Sequence, residues 1–143
     1  MITEPTPNVA VGIIIAAHTD YASALLRTTE FILGPLGDCT SISVDVAFDV
    51  SETVQRLNDA AQLLDKGAGV LILTDMFGGT PTNLSLALLT THNVEVVTGV
   101  NLPMTIKAFS ARTLPLKELA ELVGEAGKQG IVVAGEMLEQ KTS

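Results

Sequence analysis

Residues 69–83 read GVLILTDMFGGTPTN, an apolar run with an aspartate at its end, two adjacent glycines, and then Thr80-Pro81. An uncharged run from Gly69 to Thr74, bounded by loop residues, is the pattern of a strand covered on both faces. Thr80 is a good helix N-cap, and Pro81 suits the first helical position, where its missing N–H costs nothing. The stretch therefore reads strand, bare loop, helix, with Asp75 at the carboxyl edge of the strand. From Pro81 to about Leu89 the helix is apolar nearly all round, which predicts burial.

The same grammar recurs on both sides. VAVGIIIAA (9–17) is a second two-sided strand, followed by a helix with Ala22, Leu25, Leu26, Thr29, Ile32 and Leu33 on one face and Gly34-Pro35 at its end. SISVDVAF (41–48) alternates as a strand near a sheet edge. Ser51 can cap a helix whose face is Val54, Leu57, Ala61 and Leu64, closed by Gly67. VEVVTG (94–99) is a fourth strand, GVNLPM a loop, and 104–112 a short helix. Pro115 opens a further helix with Leu116, Leu119, Leu122 and Val123 inward, and IVVAG (131–135) reads as a fifth strand before a polar tail. Strands alternating with helices predict an α/β, flavodoxin-like three-layer sandwich with a mainly parallel sheet of about five strands. Residues 1–8, with two prolines and no apolar pattern, read as a loose tail, and 9–143 as a single domain.

Composition excludes several classes. With 47% hydrophobic and 17% charged residues, the chain of 143 is neither disordered nor a coiled coil. No Trp, one Tyr and a formal charge of −8 argue against nucleic acid and anionic membrane. Cys39, the only cysteine, rules out an intrachain disulfide or a thiolate metal cluster. The run Val9–Ala17 is too short to span a bilayer and lacks a basic region before it, so a cytoplasmic location and no membrane insertion are expected.

Sheets of this kind bind ligands beyond the carboxyl ends of their strands. His18 stands at that end of the first strand and Asp75 at that end of the third, and if these strands are neighbours the two side chains meet. Thr19 and Asp20 can cap the helix after His18. Gly78 and Gly79 let backbone approach closely, and Thr80 adds a hydroxyl at a helix start that attracts anions. Such a trio suits a nucleophilic histidine: one ring nitrogen donates to Asp75, leaving the other lone pair to attack, while the glycine loop offsets phosphoryl charge. Each part alone has a bland explanation, as a polar loop residue, a turn or a helix cap, and only their coincidence at adjacent strand ends carries the functional reading. His92, in the turn THN, reads as solvated. Tyr21 and Phe77 flank the site or simply pack. Neither GxGxxG, GxxxxGK[ST] nor G-x-S-x-G occurs, and His18 with Asp75 lacks a third ligand for zinc, so neither cofactor nor metal is expected.

AAHTD (16–20), LTDMFGGTPTN (73–83) and GVNLPM (99–104) together resemble the EIIA component of the mannose family of the phosphoenolpyruvate-dependent sugar phosphotransferase system, from about Val9 to about Val133. The D-x-[FW]-G-G-[ST]-P-x-N pattern joined to G-V-N-x-P-M is specific. Phe77 takes a place where tryptophan is common. The resemblance implies that His18 accepts a phosphoryl group on Nε2 from the phosphocarrier HPr and passes it to a histidine of an EIIB partner, and that Asp75 hydrogen-bonds the other ring nitrogen. It further implies that Thr19, Gly78, Gly79, Thr80, Asn101 and Pro103 support the site, and that the protein is a homodimer exchanging its last strand, here near 130–135. The chain ends soon after this domain with no linker or EIIB domain, which fits a free-standing sugar EIIA or a regulatory EIIA that serves no permease. Three rivals stand beside it: a receiver phosphorylated on Asp75, a non-catalytic anion-binding α/β module, and the phosphotransfer subunit of a dihydroxyacetone kinase system. The receiver lacks an acidic pair after the first strand and a lysine after the fifth. The GGTPTN and GVNLPM stretches favour the mannose-type branch over the kinase subunit.

Overall fold

Gly12–His18 (β1), Cys39–Val44 (β2), Val70–Thr74 (β3) and Val94–Val97 (β4) form an all-parallel sheet in the order β2-β1-β3-β4 in the computed structural model, which describes residues 9–45 and 49–142. The expected loose tail 1–8 and the end of the 41–48 run lie outside those residues. The order is the flavodoxin-like one, with β2 at an edge as its alternation predicted.

Side chains alternate across the sheet, and both faces are covered. Ile13, Ile15, Ala17, Leu71 and Leu73 pack under Tyr21–Leu33 (α1), Leu102–Ser110 (α4) and Leu116–Gln129 (α5). Ile14, Ala16, Val70 and Ile72 pack under Val50–Leu64 (α2) and the segment Thr80–Leu86 (α3), which continues as a 3-10 turn over Ala87–Thr90. Three layers result. The central isoleucines and leucines of β1 and β3 are fully buried, each contributing at most about 1.5–3 kcal/mol of transfer free energy.

Several local expectations need correction. The sheet has four strands among the described residues, not five: Ile131–Val133 lie outside it, and Ala134–Thr142 form a helix (α6). A β-branched run is a strand only where its backbone finds a ladder, and Ala, Glu, Met, Leu, Gln and Lys in the following stretch favour a helix that takes up Ala134 and Gly135. The helix after Gly79 is not buried all round. Pro81, Thr82, Ser85 and Leu88 face the core, while Leu86 and Leu89 face outward, because one helix on a sheet can bury only one stripe. Ile32, Leu33 and Leu122 are likewise exposed. Gly79, not Thr80, occupies the N-cap of α3. Asp49, not Ser51, caps α2, its carboxylate accepting from the Ser51 N–H at 3.2 Å. The GVNLPM stretch is helical from Leu102 onward, with Asn101 as the cap.

Candidate active site

β1 and β3 are adjacent and in parallel register, Ala16 opposite Thr74, so the residues that follow leave the sheet side by side. From that edge α1 departs over one face and α3 over the other, and His18 and Asp75 meet in the gap. The His18 backbone N–H donates to Asp75 Oδ2 at 3.0 Å, and Nδ1 of the ring lies 2.7 Å from the same oxygen. A carboxylate oxygen already receiving one N–H accepts a second, which assigns the hydrogen of the neutral ring to Nδ1 and leaves the lone pair on Nε2. The His18 side chain is 42% exposed and Asp75 17%, so the imidazole faces solvent while its partner sits behind it. Among the described residues Nε2 has no hydrogen-bond partner.

Burial by itself would raise the pKa of Asp75. The backbone N–H of His18, the ring hydrogen bond, the His18 charge and the Met76 N–H outweigh burial and hold the carboxyl below its ordinary value. Asp75 Oδ1 is buried without a hydrogen-bond partner of normal geometry among the described residues, so the Met76 N–H acts on the carboxylate as a nearby dipole.

The loops around the pair are shaped by a few backbone choices. Thr19, directly after His18, adopts the left-handed region at φ 52°, and its carbonyl accepts from the Ser43 hydroxyl on β2. That turn bends the chain away sharply, so that α1 starts at Tyr21. Neither Thr19 nor Asp20 caps α1 with its side chain, contrary to expectation. The Tyr21 hydroxyl donates to the Val100 carbonyl at 2.7 Å, tying the first turn of α1 to the loop after β4. Gly78 takes φ 82°, and Gly79 lies so near the ring that an added Cβ would stand 3.3 Å from His18 Cε1. Phe77 is 78% exposed at the rim.

None of the remaining expected residues hydrogen-bonds to His18 among the described residues. Thr80 begins α3 and is exposed. Asn101 caps α4, its Oδ1 accepting from the Met104 N–H at 3.1 Å and its Nδ2 donating to the Gly127 carbonyl at 3.2 Å; it does not bond to His18. Pro103 sits in the first turn of α4, against Gly130. His92 is not simply solvated: Nε2 contacts Asn58 Oδ1 at 3.0 Å. Two residues that sequence reasoning passed over lie beneath the loop. The hydroxyls of Thr74 and Thr82 stand 2.6 Å apart, and that of Thr82 donates to the Met76 carbonyl at 2.6 Å. Their signal, a threonine on each side of the glycine loop, is weak without knowledge of their burial.

Residues 12–126 match the family model described as the PTS system fructose IIA component. The chain is 32% identical over 124 residues to the PTS system mannose-specific EIIAB component of Escherichia coli (strain K12), covering 85% of this chain but 38% of that protein. It is 26% identical over 132 residues to the PTS system fructose-specific EIIA component of Bacillus subtilis (strain 168), covering 91% of this chain and 90% of that one. The crystal structure of phosphotransferase system component EIIA from Streptococcus agalactiae superposes with a TM-score of 0.81 at 27% identity, covering 88% of this chain and 98% of the other.

Proposed function

The chain belongs to the family described as the PTS system fructose IIA component, and on that premise we propose that it is a phosphohistidine carrier of the phosphoenolpyruvate-dependent phosphotransferase system. The observation that carries this reading is the single Asp75 oxygen shared by the backbone N–H and ring Nδ1 of His18. It fixes the tautomer in which exposed Nε2 is nucleophilic. In the transfer, Nε2 attacks the phosphorus of phosphorylated HPr. The new N–P bond forms as the donor's N–P bond breaks, and the electron pair of that bond returns to the donor imidazole. The Nδ1 proton stays in place, and Asp75 offsets the positive charge that the phosphorylated ring acquires. A histidine of an EIIB partner then receives the group by the reverse of this chemistry. Thr19, Gly78, Gly79 and Thr80 are assigned to supporting the phosphoryl group, with Gly79 admitting backbone close to the ring.

The assembly that fits is a cytoplasmic homodimer. Among the described residues β4 has an open outer edge, a groove of about 480 Å³ runs beside it past Leu86, Val96, Val97 and Ile131, and the exposed Ile131–Val133 run supplies a strand for a second subunit. Among the described residues no helix is long and apolar enough to cross a membrane.

Incubation with phosphoenolpyruvate, Enzyme I and HPr should place acid-labile, alkali-stable phosphate on the wild type and none on His18→Ala. A wild type that stays unlabelled sinks the reading.

A further inference from the structure

Thr74 and Thr82 are both fully buried, and their hydroxyls meet directly beneath the loop that carries Asp75. A hydroxyl has one hydrogen. The Met76 carbonyl can only accept, so the Thr82 hydrogen goes to it, and the hydrogen between the two threonines must come from Thr74. The direction of the chain is thereby set: Thr74 to Thr82 to the Met76 carbonyl, each bond polarising the next. No other hydrogen bond of normal geometry holds the backbone of Met76, Phe77 or Gly78 among the described residues, and the side chains of Met76 and Phe77 are exposed. This relay therefore pins the middle of a loop that begins with Asp75 on Nδ1 and ends at Gly79, where an added Cβ would reach the ring. Thr74 is itself anchored, since its carbonyl accepts from the Val100 N–H at 2.9 Å.

We propose that Thr82, polarised by Thr74, is a positioning residue for phosphoryl transfer at His18, holding the Met76 carbonyl so that Asp75 stays on Nδ1. The proposal rests on the reading of His18 as the phosphoryl acceptor. Its effect on the ring, however, is measurable with no transfer at all. Ser85 is the internal control: its hydroxyl is equally buried, one turn further along α3, and donates to the Pro81 carbonyl at 2.7 Å, away from the loop.

The test compares wild type, Thr82→Val, Thr82→Ser and Ser85→Ala by two measurements. Solvent exchange of the His18 Nδ1 proton is followed by NMR on the unphosphorylated protein, and kcat and KM are measured with phosphorylated HPr. Loss of one positioning hydrogen bond predicts for Thr82→Val about tenfold faster proton exchange and about tenfold lower kcat, with KM within about twofold of wild type. Thr82→Ser restores both, and Ser85→Ala changes neither. A folded Thr82→Val with wild-type exchange and wild-type kcat overturns the proposal, as does an equal response in Ser85→Ala. If Thr82→Val does not fold, Thr74→Val decides, because it keeps the Thr82 donor and removes the group that polarises it. About threefold faster exchange supports the relay, and unchanged exchange overturns it. A wild type that never takes phosphate from HPr removes the carrier reading alone, since the exchange data still judge the relay.

Discussion

Asp75 Oδ2 receives both a backbone and a ring hydrogen from His18, and that sharing determines how the position responds to substitution. In Asp75→Asn the amide oxygen must take the place of Oδ2, because a flipped NH2 would face the His18 N–H. The tautomer survives and the negative charge is lost. Transfer from phosphorylated HPr should slow by roughly 10- to 100-fold while circular dichroism stays near wild type and Tm falls by only a few degrees, as general for electrostatic support of a reacting ring. An Asp75→Asn protein that does not fold would count against this orienting role. The folded-state pKa of Asp75 is depressed, so the stability it contributes is present above its unfolded value near 3.9 and lost as pH falls through the lower folded value. The difference in urea midpoint between wild type and Asp75→Asn should accordingly shrink from about pH 7 to about pH 3. Gly79→Ala would set a methyl 3.1 Å from Met76 Cγ and 3.3 Å from His18 Cε1, so the ring or the loop must yield. Single-turnover transfer should fall about 3- to 30-fold with little change in Tm, and an unchanged rate would show that the ring tolerates displacement. The His18–Asp75 pairing was legible because it needs only two strand ends and their adjacency. The capping role of Asn101 was not, since an amide in a loop serves a ligand or a helix start equally well until its partners are seen.

At the scale of elements, β1 and β3 were legible because continuous apolar runs with β-branched residues have few other uses. α3 was misjudged for a related reason. Counting Leu86 and Leu89 as core overlooks that Thr82 and Ser85 share the inward stripe with Leu88, their hydroxyls satisfied by the Met76 and Pro81 carbonyls. A polar residue can take an inward position when its own backbone neighbours supply the partner. Helix starts failed similarly: Asp49 and Gly79 fill cap positions one or two residues before the hydroxyls that looked suited to them. The packing of α2 on β1 gives the sharpest element-level expectation. A Cβ on Gly12 would come within 2.6 Å of the Leu64 carbonyl and 2.8 Å of Leu64 Cβ, rigid atoms at the last turn of α2. Gly12→Ala should therefore destabilise the fold by about 1–3 kcal/mol in urea denaturation, the usual cost of overpacking. Because Gly12 lies at the opposite end of β1 from His18, the folded fraction should still take phosphate at the wild-type rate.

At the scale of the whole molecule, the outer edge of β4 was the least legible feature of the sequence. IVVAG reads as a strand on β-propensity, yet Ile131, Val132 and Val133 are 76%, 51% and 63% exposed, and the described chain leaves the outer edge of β4 open. Propensity states what a segment can do; whether it pairs depends on an edge, and that edge need not belong to the same chain. The apolar groove beside β4 and the apolar run after α5 are both costly to leave in water, and two copies can resolve both at once by exchange of the run. Wild type should then sediment as a dimer at micromolar concentrations. Val132→Lys places a charge in the pairing segment and should weaken association on the order of thirtyfold, about 2 kcal/mol, shifting the sedimentation toward monomer. A wild type that sediments as a monomer would sink the exchange. That outcome would leave His18 and Asp75 as they are, because both come from one chain and meet through β1 and β3, so the monomeric Val132→Lys protein should retain the His18 Nδ1 hydrogen bond in NMR even as the dimer is lost.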